Sequence, residues 1–182
     1  MSVIVNRSEE IYRGRVFHMI RENITLDNGV SVNIDTIRHP GASAIVPVQS
    51  NGNLILIRQY RHSVRGYIWE IPAGTLGPGE EPLACAKREL IEETGFSAQT
   101  WEKLGEIVPV PGYSDERIHI FKAQDLIPAV QNMDEDEVLD VHEIPPGQVL
   151  RMAGEGEIQD SKSLSALFLL LARMNRIAQG DF

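Results

Sequence analysis

"GTLGPGEEPLACAKRELIEETGF", residues 74–96, decides how the rest of this 182-residue chain is read. The stretch from Pro82 to Thr94 predicts a helix. Pro82 suits its first turn, and Gly95 suits the position just past its end. On that helix Glu89, Glu92 and Glu93 lie three and four residues apart and share one side. Like charges at such spacings repel by roughly 0.2–0.5 kcal/mol per pair. Lys87 and Arg88 fall beside them, but Arg88 alone does not neutralise the group. Another carboxylate, Glu80, stands in the Gly-rich loop that opens the helix, directly after an apolar strand. An acidic helix is ordinarily a solvated face. Here the loop, the strand and the excess charge coincide, and a divalent cation resolves the repulsion. Oxygen-only donors favour Mg²⁺, with Mn²⁺ as a substitute. His18, His39, His62, His119 and His142 are scattered, and no His/Cys grouping suggests zinc. Mg²⁺ held by carboxylates also holds phosphates, so the predicted chemistry is metal-assisted attack on a phosphate or diphosphate.

Working outward, the apolar fraction of 42% supplies a sizeable core, and the net charge of −9 argues against general attraction to nucleic acid or anionic membranes. A local cation still admits an anionic substrate. Cys85 is the single cysteine, so no disulfide forms within the chain, which fits a reducing cytoplasm. The start "MSVIVNRSEE" lacks the charged-then-apolar pattern of a signal peptide, and the longest apolar run, Ala166 to Ala172, is far short of the ~20 residues that span a bilayer. A cytoplasmic protein without membrane or nucleic-acid partners is expected.

Residues 11–39 read as extended, with a hairpin turn at Asp27-Asn28-Gly29. Pro40-Gly41 breaks this segment from the rest, which divides the chain into an N-terminal strand segment, 1–40, and a main domain, 41–182. "SAIVPV" (43–48) and "NLILIRQY" (53–60) read as a buried strand pair, and "YIWEI" (67–71) as a third strand. Further strands are predicted at 101–110, 117–123 and 138–143, and helices at 146–153 and 162–178, the latter with cap candidates Asp160 and Ser161. Leu164, Leu167, Phe168, Leu171 and Met174 recur at helical spacing and read as a core-facing stripe. The mixture implies an α+β fold or an α/β/α sandwich.

The opening stretch also resembles the signature of Nudix hydrolases: G, five residues, E, seven residues, R-E-U, one residue, E-E, one residue, G-U, with U bulky and apolar. Gly74, Glu80, Arg88-Glu89-Leu90, Glu92-Glu93 and Gly95-Phe96 fill every fixed position. Phe96 is a less common choice at the last one. "RQYRHSVRGYIWEIPAG" and "IYRGRVFHMI…IDTIRHPGASAIVPV" look like the corresponding parts of ADP-ribose pyrophosphatases and related nucleoside diphosphate sugar hydrolases. Pro111, sixteen residues beyond Gly95, "PGYSDE" and "GEIQDSKSLSAL" are similar to the same subgroup, so the resemblance runs from about residue 11 to 172. It implies an α/β/α sandwich with a mixed sheet between helices, plus a small N-terminal antiparallel sheet often exchanged across a homodimer.

The resemblance also implies roles. Glu89 and Glu93 become the principal metal ligands, with the Ala73 carbonyl, and Glu92 a further one, direct or through water. Glu80 supports the metal site or holds a second water, and Arg88 orients the glutamates by planar, directional ion pairs that lysine does not reproduce. Gly74 and Gly95 answer backbone needs. The general base is expected in "NMDEDEVLD": Glu137 first and Glu135 second, as base or additional ligand. Arg61, then Arg58, are the cations for the diphosphate, and Glu70 is placed for a sugar hydroxyl or amine. Trp69 reads as core before base-stacking. Phe17 and Arg38 are candidates to sandwich the nucleobase across a dimer interface, Arg38 by cation–π contact. Tyr113 and Ser114 lie in a ribose or base loop.

The implied function is Mg²⁺-dependent hydrolysis of a nucleoside diphosphate sugar, ADP-ribose foremost, to AMP and ribose 5-phosphate. A GDP-mannose or broad-range hydrolase is the near alternative. A non-catalytic nucleotide-sugar sensor and a triphosphate or capped-RNA hydrolase stand further off. A sensor usually loses metal-binding glutamates, and this chain keeps them all.

Overall fold

A computed structural model of the chain describes residues 2–132 and 137–179. In order they form β1 (Ile4–Arg13), β2 (His18–Thr25), β3 (Ser31–Arg38), β4 (Ala42–Pro47), β5 (Leu54–Arg61), β6 (Gly66–Glu70), β7 (Ala73–Thr75), α1 (Pro82–Thr94), β8 (Phe96–Ile107), β9 (Ile118–Pro128), β10 (Leu139–Ile144), α2 (Pro146–Gly154) and α3 (Ser161–Gln179). Strands β1, β2 and β3 make an antiparallel sheet of their own. Its second hairpin closes at the expected turn: Gly29 has φ 82°, and the Val30 N–H donates to the Asn28 side chain at 3.0 Å. Strand β1 begins at Ile4, earlier than the extended segment expected from residue 11.

The remaining strands form a mixed sheet ordered β7-β4-β9-β8, in which β4 and β9 run parallel, and an antiparallel sheet ordered β10-β5-β6. Strand β4 is buried along its whole length because both its faces are covered. Ile45 packs with Ala86 and Leu90 of α1, and with Phe121 and Ala123. Ala42, Ala44 and Val46 enter the larger core with Val149 and Met152 of α2 and Ala166, Leu167 and Leu170 of α3. Helices thus lie on both sides of the mixed sheet, the α+β sandwich that the element order implied.

Two expectations are corrected. Residues 43–48 and 53–60 do not pair as strands. Only a bridge at Val48–Leu54 joins them, and β4 and β5 belong to different sheets. An apolar run specifies burial and leaves the partner open. The stripe Leu164, Phe168, Leu171, Met174 does not face the core either: these four are exposed, Phe168 by 70%, and of the five expected only Leu167 is buried. The small residues Ser163 and Ala166 let the neighbouring stripe approach the sheet, with Leu167 and Leu170. A Cβ on Gly105 of β8 would sit 3.0 Å from Leu169 Cδ1, a measure of that closeness.

Candidate active site

The site begins where β6 runs into β7. The Ile71 N–H donates to Ser163 Oγ of α3 at 2.8 Å, and the Pro72 carbonyl accepts from Ile45 N at 2.8 Å, so this passage is fixed from two sides. It delivers Ala73 and Gly74 to the face of α1. The helix starts on Pro82 and stops at Gly95, whose φ of 70° is the left-handed conformation that glycine adopts freely; its N–H closes on the Ile91 carbonyl at 2.9 Å. Gly74 has a different reason to be glycine. A Cβ there would lie 1.8 Å from Glu89 Oε1, because the carboxylate rests against its backbone.

Glu93 is 1% exposed, and its Oε2 accepts the Ala73 N–H at 2.8 Å. Burial pushes its pKa well above the ordinary value, Glu89 and Glu137 add repulsion, and Arg61 offsets only part. Burial likewise raises the Glu89 carboxyl, against the pull of Arg88. Arg88 is the hub of the outer glutamates. Its Nη1 donates to Glu89 at 2.6 Å and Glu92 at 2.7 Å, while Nε and Nη2 grip Glu80 at 3.0 Å each. That fork, helped by the Gly77 N–H, lowers the Glu80 pKa to about 2.

Arg88, Glu89 and Glu92 open onto a cleft of about 420 Å³ lined also by Ala73, Arg61, Glu137 and, from the β1–β2 turn, Arg15 and Val16. A cleft of about 410 Å³ between α2 and α3 is lined by residues such as Leu54, Val149, Leu167 and Met174 and by no carboxylate, so it lacks the chemistry of the first. Arg61 is held from below: Nε and Nη2 donate to the two oxygens of Glu70, both at 2.8 Å. Glu70 is 1% exposed and also pairs with Lys162. Burial works to raise its pKa, but Arg61 and Lys162 prevail and hold it below the ordinary carboxylate range.

The cleft therefore gathers Glu89, Glu92, Glu137, Ala73, Arg61 and Arg88, with Glu93 beneath and Glu80 behind Arg88. Glu135 lies outside the described residues. Arg58 does not line the cleft. Strand alternation turns it to the other face of β5, where its guanidinium lies 5.8 Å from the Tyr67 ring centre and 5.9 Å from that of Trp69. Trp69 packs against the larger core and edge-on to His142 at 4.8 Å. Glu70 is turned inward to Arg61 and Lys162, not outward. Arg38 pairs with Asp115 at 3.0 Å and Glu22 at 3.3 Å, and Ser114 is buried with its Oγ accepting the Glu116 N–H. Phe17 and Tyr113 keep exposed rings.

Sequence reasoning missed Arg15 and Lys162. The run Arg13-Gly14-Arg15 placed basic residues at a turn. Lys162 stands in the first turn of α3, where the helix dipole disfavours a cation, and that mismatch signals a carboxylate partner.

Among the described residues, no three carboxylate, imidazole or thiol groups are gathered closely enough to hold an ion as they stand, because Arg88 engages Glu89 and Glu92. The donor set nevertheless fits a hard divalent cation. All its atoms are oxygens, and the buried carboxylates of Glu89 and Glu93 have less positive charge around them than their ionisation needs.

A NUDIX domain model matches residues 37–167. The chain is 36% identical over 161 residues to the ADP-ribose pyrophosphatase of Bacillus subtilis (strain 168), covering 87% of each chain. It is 35% identical over 167 residues to the GDP-mannose pyrophosphatase of Citrobacter koseri, covering 82% of this chain and 86% of that one. It is similar to a solved crystal structure of an ADP compounds hydrolase with a TM-score of 0.84 and 28% identity, covering 100% of this chain and 98% of the other.

Proposed function

The chain belongs to the NUDIX domain family, and on that premise we propose that it hydrolyses the pyrophosphate bond of nucleoside diphosphate sugars, ADP-ribose foremost, to AMP and ribose 5-phosphate. One observation carries this reading: Arg61 opens onto the same cleft as the carboxylates of Glu89, Glu92 and Glu137, above the buried Glu93. Such a cleft suits a substrate that is itself anionic and arrives with a cation. Glu89, Glu93, Glu92, Glu137 and the Ala73 carbonyl would hold Mg²⁺, or Mn²⁺ in its place. When bound, the cation polarises a phosphoryl oxygen and acidifies a water.

The chain's own groups do the rest. Glu137, on the cleft wall, takes the proton of the attacking water; Glu135 is the second candidate. Arg61 binds a diphosphate oxygen and takes up charge as it develops. Arg88 keeps the outer glutamates in register. Phe17 and Tyr113 offer exposed rings to the base, whereas Arg38 and Ser114 secure the loop that carries Tyr113. We read the chain as a homodimer built through its N-terminal segment, 1–40, because every residue of β1 is exposed, Ile4 and Tyr12 among them. No helix among the described residues is long and apolar enough to cross a membrane, and we place the enzyme in the cytoplasm, where the buried thiol of Cys85 stays reduced.

GDP-mannose is the second reading, supported by the relative of that name. Initial rates on a panel of ADP-ribose, GDP-mannose, other sugar nucleotides and nucleoside triphosphates with Mg²⁺ separate the two. ADP-ribose should give the highest kcat/KM. Turnover confined to triphosphates overturns the assignment, and hydrolysis in ¹⁸O-labelled water identifies the phosphorus attacked.

A further inference from the structure

We propose that Lys162 is a positioning residue for Arg61, acting through Glu70 to keep the Arg61 guanidinium aimed at the diphosphate. This rests on the functional reading of the cleft given above.

The geometry is that of a buried strut. Glu70 is almost wholly enclosed, so both its oxygens need partners. Arg61 takes the two oxygens in a planar fork at 2.8 Å each, and Lys162 bonds Oε2 from the opposite element. Lys162, 12% exposed, also pairs with Asp160 at 3.1 Å. Asp160 caps α3 through the Ser163 N–H at 2.9 Å and accepts the Ser163 hydroxyl at 2.5 Å. The same hydroxyl accepts the Ile71 N–H, one residue beyond Glu70. The first turn of α3, the end of β6 and Arg61 are thereby one hydrogen-bonded unit.

The charges explain why a lysine belongs there. An Arg61–Glu70 pair alone is neutral and attracts a diphosphate weakly. Lys162 answers the Glu70 charge, while the N-terminus of α3 answers Asp160. The positive charge of Arg61 is then left for the substrate, with its Nη1 amine available while Nε and Nη2 face Glu70. Without Lys162, Glu70 Oε2 loses its bond from α3, the carboxylate is no longer held in place, and the fork that aims Arg61 loosens.

Two readouts on the full chain test this. Steady-state kinetics with ADP-ribose and Mg²⁺ on Lys162→Met should show kcat/KM lowered roughly tenfold or more, with a rise in KM carrying the larger share and a smaller fall in kcat the rest. Lys162→Arg should restore most of the loss. In an Arg61→Ala background, Lys162→Met should add less than about twofold, because residues that act through one group are not additive. The Arg61 Nε–H signal in ¹H–¹⁵N spectra should be protected from exchange in the wild type and exchange faster in Lys162→Met. Should Lys162→Met fail to fold, Glu70→Gln tests the same strut and should show the same pattern. An unchanged KM, full additivity with Arg61→Ala, or an unaltered Arg61 signal overturns the inference. Absence of wild-type turnover on every nucleotide sugar overturns the functional reading instead, and the Arg61 signal then still decides whether Lys162 positions it.

Discussion

Segment 74–96 and helix α3 are built in opposite ways. The first buries charge, and its partners lie close along the chain: Arg88 reaches Glu92 and Glu80 over separations of 4 and 8 residues, and Glu93 reaches Ala73 over 20. Helix α3 leaves Leu164, Phe168, Leu171 and Met174 exposed while it encloses Ser163 and most of Lys162, and beside the local Asp160 these two have remote partners. Lys162 to Glu70 and Ser163 to Ile71 each span 92 residues. The short segment gathers its charged groups largely through contacts of its own. The long helix serves that unit from a distance, by fixing what stands beside it.

The sharpest way to test the contrast is to remove one buried charge. Glu93→Gln keeps an oxygen to accept the Ala73 N–H but removes the carboxylate. We expect kcat/KM to fall on the order of 10³-fold, about 4 kcal/mol of transition-state stabilisation. Stability should move the other way. Burial and Glu89 oppose ionisation of Glu93, so the metal-free variant at neutral pH should melt roughly 2–4 °C higher, about 1 kcal/mol. Activity within tenfold of wild type removes Glu93 from the metal site, and a lower Tm refutes the claim that its charge is under-compensated.

That contrast also explains what the sequence made legible. The helix bounds, Gly95 as cap and the gathering of Arg88, Glu89, Glu92 and Glu93 on one side follow from spacing, because in a helix spacing is geometry, whereas Glu80 reaches Arg88 from the loop before it. The sandwich followed from the order of elements. The pairing of β4 and β5 did not, because an apolar run carries no name of its neighbour. Arg58 and Arg61 look alike in the sequence, yet three residues along a strand reverse the face. Glu70 read as a substrate contact because its remote partner, Lys162, leaves no local trace beyond a cation at a helix start.

A smaller effect is expected from the pair Leu167→Ala and Phe168→Ser. These neighbours on α3 tell which stripe faces the sheet. Leu167 is 4% exposed and packs in the larger core, so truncation should cost about 2–5 kcal/mol, toward the low end where α3 can settle. Phe168→Ser should change stability by no more than about 0.5 kcal/mol in the monomer. Urea unfolding midpoints at one slope decide it. Equal losses at both positions would mean that the exposed stripe is covered in solution.

The smallest expected effect ties the buried glutamates to their cation through pH. Unfolded, Glu89 and Glu93 ionise near the ordinary 4.5; folded, both ionise higher, because burial penalises the charge. The folded state therefore keeps protons that the unfolded state releases. The stability contributed by the protonated carboxyls is complete below about 4.5 and is lost as pH rises through the raised folded values. Glu80 has the opposite sign: its contribution is present above 4.5 and lost as pH falls toward about 2, outside this window. Mg²⁺ competes with the protons that Glu89 and Glu93 retain, so its stabilising effect should be near zero at pH 4.5 and grow as they ionise. At a free Mg²⁺ concentration ten times Kd it should reach about 1.4 kcal/mol, or roughly 3–6 °C in Tm. Melting curves across that pH range with and without Mg²⁺ give the answer. An increment independent of pH, or one undiminished in Glu93→Gln, would show that the cation binds elsewhere and that the crowding of carboxylates on α1 is not what draws it.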